Sequence, residues 1–196
     1  MDIKYARQFL AGVLIGVGGM VYLNTMTEFW APFLFSIGLV SVVVLGAQLY
    51  TGRIGYFPLQ RQGLGAAAAN YAGMLALNLL GAALMGLLAR FFYSIDASAM
   101  AAGKAAQSPL QALLLAVGCG MMMYTAVEGY KRTKSMVLII FPVAVFILCK
   151  FNHCIADMFY FAYTGTFPPV YYLPMVVLGN SLGALALRFV FEEKDR

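Results

Sequence analysis

Six apolar runs separated by short polar connectors organise the chain. They cover about 8–26, 31–50, 66–89, 109–130, 135–162 and 169–191, each near the roughly 20 residues that a helix needs to cross a bilayer. Lipid offers no water to backbone N–H and C=O groups, so only helices and closed barrels satisfy them there. Long runs, rather than short alternating segments, select helices. The pattern predicts an all-α, polytopic membrane protein of six transmembrane helices in a single domain, 1–196. The first run begins at Phe9 without a clear small-residue cleavage site, and reads as a retained helix rather than a removable signal.

Composition agrees: 62% of residues are hydrophobic, 11% are charged and the mean hydropathy is +0.82, so the solvent of this chain is largely lipid. The connectors carry the charge. Lys4 and Arg7 precede the first run, Arg53 and Arg61 follow the second, Lys131, Arg132 and Lys134 follow the fourth, and Arg188, Lys194 and Arg196 close the chain. Only Arg90 and Lys104 stand in connectors on the opposite side. The positive-inside rule then puts both termini in the cytoplasm, with the chain in the cell's inner (plasma) membrane. This bias accounts for the net charge of +5, which gives no reason to expect nucleic-acid binding. Cys119, Cys149 and Cys154 lie in apolar runs without metal-ligand spacing and read as small buried hydrophobes.

The two halves, about 1–100 and 101–196, echo each other. Asn78-Leu79-Leu80-Gly81-Ala82 matches Asn180-Ser181-Leu182-Gly183-Ala184, and Tyr50-Thr51-Gly52 recurs as Tyr163-Thr164-Gly165. Three spans followed by three must enter the membrane from opposite sides. This predicts an inverted three-plus-three repeat, aquaporin-like, with its central helices broken near the midplane. Small-residue packing is the alternative explanation of these matches. Helices 2 and 5 are the ones expected to break. The second ends in Gly46 and Gly52 around polar Gln48 and Thr51, before a stretch containing Arg53 and Pro58. The fifth is overlong and carries Lys150, His153 and Asp157 at the i, i+3, i+7 spacing of one helical face. A charge at the bilayer centre costs about 2.5–3.5 kcal/mol on insertion scales, so such groups usually pair or line a route for solute.

With these pieces in view the chain resembles the formate/nitrite transporter family of pentameric, six-helix anion channels, almost end to end. The matching motifs are AGVLIGVGG in the first span, GAQLYTG after the second, NLLGA in the third, FPVAVF and FNHCIADMF in the fifth, and LGNSLGA in the sixth. The resemblance implies a pore in each protomer of a homopentamer, with His153 at its middle, Thr51 on the loop interrupting the second helix, and Asn152, Asp157, Lys150 and Asn180 nearby. It further implies an outer constriction of Phe35, Leu39 and Phe146, an inner one of Leu49, Tyr50 and Met123, and no cofactor or metal. A central imidazole titrating near neutrality could lend a proton to a weak-acid anion such as formate or nitrite; a histidine that merely hydrogen-bonds within a buried helix break is the plainer alternative.

The departures bear on the solute. Asn152 stands where the family has glutamate, Asp157 where it has asparagine, and Arg53 where asparagine is common; an asparagine expected near Gly120 is absent. Asp157 either faces the pore and sets its charge or pairs with Lys150 across about two helical turns. The same frame could therefore serve a small neutral or weakly basic solute such as hydrosulfide, ammonia or urea. An enzyme is not indicated, because one histidine and scattered acids form no converging constellation.

Overall fold

The computed structural model describes residues 2–57 and 63–192; Pro58, Arg61, Lys194 and Arg196, named above for charge and turn chemistry, lie outside the described residues. In chain order the helices are α1 (Ile3–Thr25), α2 (Ala31–Phe35), α3 (Ile37–Val44), α4 (Tyr50–Arg53), α5 (Leu64–Phe92), α6 (Ser98–Ala105), α7 (Pro109–Thr133), α8 (Val137–Leu148), α9 (Cys154–Thr164) and α10 (Tyr172–Glu192). A 3-10 turn, Ile54–Tyr56, follows α4. Among the described residues, α1, α5, α7 and α10 are long and apolar enough to cross a membrane. The second and fifth apolar runs are instead divided among shorter helices, and the connector after the third contains α6.

Local chemistry sets several of these ends. The Asp2 carboxylate accepts the Lys4 N–H at 3.0 Å and opens α1. The Ser108 hydroxyl accepts the Gln111 N–H at 3.3 Å, with Pro109 in the first turn of α7, as an N-cap and a proline lacking an N–H both favour. α1 packs on α5, and α7 on α10. In lipid the tails are as apolar as the side chains, so close packing and hydrogen bonds must hold helices together. Glycine makes the approach possible: a methyl group on Gly12 would overlap the Asn78 carbonyl, and one on Gly120 the Asn180 carbonyl. The site near which the family pattern has asparagine thus has its space filled by the facing backbone.

The two divided runs stop in the same way. At the end of α3 the N–H of Ala47 reaches back to the Val42 carbonyl at 2.9 Å; at the end of α8 the N–H of Phe151 reaches the Phe146 carbonyl at 3.0 Å. The residue before each is left-handed, Gly46 at φ +67° and Lys150 at φ +55°. Each chain then passes a long helix of its own half, Gln48 N–H donating to the Arg7 carbonyl at 3.1 Å and Asn152 N–H to the Leu115 carbonyl at 3.4 Å. Extended caps follow, Leu49 before α4 and His153 before α9.

This register corrects two expectations. Lys150, His153 and Asp157 do not share a helical face, because residues 149–153 are not helical; Lys150 is exposed at the turn. The two Tyr-Thr-Gly tripeptides are not counterparts either. Tyr50-Thr51-Gly52 begins α4, whereas Tyr163-Thr164-Gly165 ends α9, with Gly165 as its left-handed cap at φ +73°. A left-handed conformation costs a non-glycine residue about 1 kcal/mol. Lys150→Gly, which copies Gly46, is therefore expected to raise the melting temperature in mild detergent; an unchanged or lower value would show that Lys150 bears no such cost.

Candidate functional site

Two asparagines hold the stops in place. Asn78 of α5 accepts the Tyr50 N–H at 2.7 Å and donates to the Gln8 carbonyl at 2.6 Å and the Gln48 carbonyl at 3.0 Å. Asn180 of α10 accepts the Cys154 N–H at 3.0 Å and donates to the Ala116 carbonyl at 2.9 Å and the Asn152 carbonyl at 2.8 Å. Both are fully buried. Helix ends leave orphan backbone groups, and without water each needs a partner. A primary amide supplies donor and acceptor together, which explains asparagine at the head of both NLLGA and NSLGA.

The stops meet at His153 and Thr51, both buried. His153 Nδ1 accepts the Ala156 N–H at 3.1 Å, capping α9 with its own ring. A nitrogen that accepts there carries no hydrogen, so the neutral ring bears its proton on Nε2, which donates to Thr51 Oγ1 at 2.9 Å. A second proton on Nδ1 would set two donors against each other. Phe146 stacks on the imidazole with centroids 5.7 Å apart, and Phe35 meets Phe146 edge-on at 5.6 Å.

Two cavities open near this contact: His153 lines one of them, and Gly52, the residue after Thr51, lines the other. The larger, about 690 Å³, lies toward α6 and is lined by His153, Phe146, Lys150, Asp157 and Lys104, among others. The smaller, about 470 Å³, lies toward α4 and is lined by residues including Leu39, Leu49, Arg53 and Lys131. Leu39, four residues after Phe35, borders the α4-side cavity with Leu49. Tyr50 lies with its hydroxyl 2.9 Å from Ser181 Oγ. Met123 is buried on α7 and lines neither of these cavities.

Asp157 pairs with Lys104, not with Lys150. Lys104 Nζ lies 2.9 Å from Asp157 Oδ1 and donates to Asn152 Oδ1, also at 2.9 Å. The Tyr172 hydroxyl donates to Asp157 Oδ2 at 2.9 Å, and Asn152 Nδ2 donates to Gln107 Oε1 at 2.6 Å. Lys104 reaches the site from α6, whose start is ordered by Asp96: its carboxylate accepts both the N–H and the hydroxyl of Ser98, which holds the carboxyl below the ordinary range. Lys104, Tyr172 and Gln107 were not among the sequence candidates. For Lys104 the available signal was a lone lysine in SAMAAGKAAQ, on the side where cations are otherwise scarce.

The sequence profile described as formate/nitrite transporter matches residues 4–192. The chain is 25% identical over 225 residues to the uncharacterized transporter YrhG of Bacillus subtilis (strain 168), covering 96% of this chain and 85% of that one. It is 26% identical over 194 residues to the probable formate transporter of Methanothermobacter thermautotrophicus, covering 78% and 71%. Its fold matches a solved pentameric formate channel with formate bound at a TM-score of 0.84 and 21% identity, over 98% of this chain and 96% of that chain. With a profile match that runs nearly from end to end, the chain belongs to the formate/nitrite transporter family.

Proposed function

We propose that the protein is a channel for small monovalent anions of weak acids, formate and nitrite among them, that pass between the two cavities through the His153–Thr51 contact. That contact is the observation that carries the reading: a titratable group, buried at the wall of one cavity, bonded to Thr51 whose neighbour Gly52 lines the other, and flanked by the aromatic pair Phe35 and Phe146. An anion entering an apolar constriction loses hydration, a large cost unless it is neutralised or hydrogen-bonded there. A proton exchanged at His153 would carry formate across as the neutral acid. Because Nδ1 is engaged by Ala156, charging the ring requires it to leave the cap, so proton linkage implies a movement of His153.

The proposed architecture is one domain of six spans in an inverted three-plus-three repeat, with the second and fifth spans broken at 45–49 and 149–153. The matched hydrogen bonds of Asn78 and Asn180 support it. A homopentamer is supported by the likeness to a channel described as pentameric. Both termini are placed in the cytoplasm at the inner membrane. Lys104, an exception to the charge bias, is folded into the protein on Asp157 and so carries little weight as a topology signal.

One observation favours a second reading. The Lys104–Asp157 pair cancels a positive charge in the cavity that His153 lines, which suits a neutral solute such as hydrosulfide in its protonated form, ammonia or urea. Purified protein in liposomes, presented with formate, nitrite, acetate, hydrosulfide, ammonium and urea at two pH values, separates them. Formate and nitrite are expected to pass faster at the lower pH; flux of urea or ammonia without either anion would replace the first reading with the second.

A further inference from the structure

Ala156, Asp157 and Tyr160, at i, i+1 and i+4, share the α9 face that borders the larger cavity, and His153 borders it from the cap of the same helix. Tyr160 is 3% exposed, and its hydroxyl finds no hydrogen-bond partner among the described residues. Buried hydroxyls are almost always bonded, so an orphan calls for a reason. Packing does not provide one, since phenylalanine would fill the same space without the stranded O–H. The ring belongs to an aromatic chain that ends on the imidazole: Tyr160 meets Tyr22 at 6.4 Å, Tyr22 meets Phe35 at 6.3 Å, Phe35 meets Phe146 at 5.6 Å, and Phe146 meets His153 at 5.7 Å. A donor is thus held ready beside an otherwise apolar constriction, in a cavity that Lys104, Lys150 and Asp157 also line.

We propose that the Tyr160 hydroxyl is an oxyanion-recognition group, donating to an oxygen of the anion as it leaves the cavity for His153 and so favouring small oxyanions over hydrosulfide. This rests on the anion-channel reading above. The hydroxyl is unpartnered at rest because its partner is the solute in transit, reached when the aromatic chain parts. An O–H···O⁻ bond is short and about twice as strong as a neutral one, whereas sulfur is a weak acceptor; the hydroxyl therefore discriminates by acceptor chemistry and not by charge.

Formate and hydrosulfide fluxes are measured in liposomes as a function of concentration for the wild type, Tyr160→Phe and Tyr160→Met. Both variants lack the donor, and the second does not depend on an aromatic ring. Removing one charge-assisted bond is expected to raise the half-saturating formate concentration about ten-fold, with hydrosulfide flux and melting temperature held. An unchanged formate dependence in folded protein, or equal losses for both solutes, overturns the assignment while leaving the channel reading intact. A wild type that passes no oxyanion sinks the channel reading itself, and the role of Tyr160 with it.

Discussion

His153→Asn is expected to abolish the pH dependence of formate flux, because the imidazole exchanges the proton in the proposed passage and asparagine does not titrate. Flux at the acidic end should fall about 100-fold, the low end of what a positioned proton donor or acceptor contributes. The variant should fold. Asparagine is among the best N-cap residues, so its side-chain oxygen can accept the Ala156 N–H that His153 Nδ1 accepts now, while its amide N–H can reach toward Thr51. It lacks only the capacity to titrate. The other ionisable groups bordering the same cavity, Lys104 and Lys150, Asp157 on α9 itself, and Tyr22 and Tyr160, remain in place to report their own contribution. A variant that keeps both the wild-type rate and its pH profile would remove proton exchange at His153 from the mechanism and leave the ring as a helix cap alone.

Much of the frame was legible because lipid enforces simple rules. The runs at 8–26, 66–89, 109–130 and 169–191 became α1, α5, α7 and α10 with ends moved by a few residues, since length and apolarity alone decide a span. The asparagine of NLLGA and NSLGA was visible as a repeated motif, and its position at the stops follows from the need to satisfy backbone groups that a helix would otherwise bond internally. Gly46 advertised a left-handed turn, but its counterpart Lys150 did not. Periodicity counts positions as though the helix continued, so 150, 153 and 157 fell on one face that the stop at Leu148 removes.

The lost part of the site is tertiary. Asp157 has an obvious cation three residues before His153 in sequence, and the cation it pairs with lies 53 positions before it (157 − 104) on a helix hidden in a connector. Nothing in the spacing of a chain chooses between such partners. Asn152 tells the same story: the family-like carboxylate before the histidine has become an amide, and the amide sits between Lys104 and Gln107 as acceptor and donor at once. By the resemblance to the family this is an exchange of negative charge from one side of His153 to the other, and in this chain Lys104 reaches both positions, Asn152 and Asp157, at 2.9 Å.

Asp157→Asn tests that exchange. The substitution keeps the volume and leaves an amide able to contact both Lys104 and Tyr172, but it strips the ammonium of its counter-charge. Breaking a buried pair from one side typically costs 3–5 kcal/mol; with Lys104 13% exposed on a cavity wall, water relieves part of this, and about 3 kcal/mol with a lower melting temperature is expected. The freed charge should act on solutes in the same cavity. A unit charge about 4 Å away at an effective dielectric of about 20 is worth about 4 kcal/mol, so even after heavy screening the ratio of formate to urea flux should rise ten-fold or more. Lys104→Met is the mirror experiment, stranding the carboxylate and lowering that ratio. The double variant Lys104→Met/Asp157→Asn carries neither charge and should recover most of the stability with a ratio between those of the single variants. Measuring both fluxes and the melting temperature for all three decides the role of the pair: if the singles lose stability while every ratio stays at the wild-type value, the pair only braces α6 against α9, and selectivity must be set elsewhere along the passage.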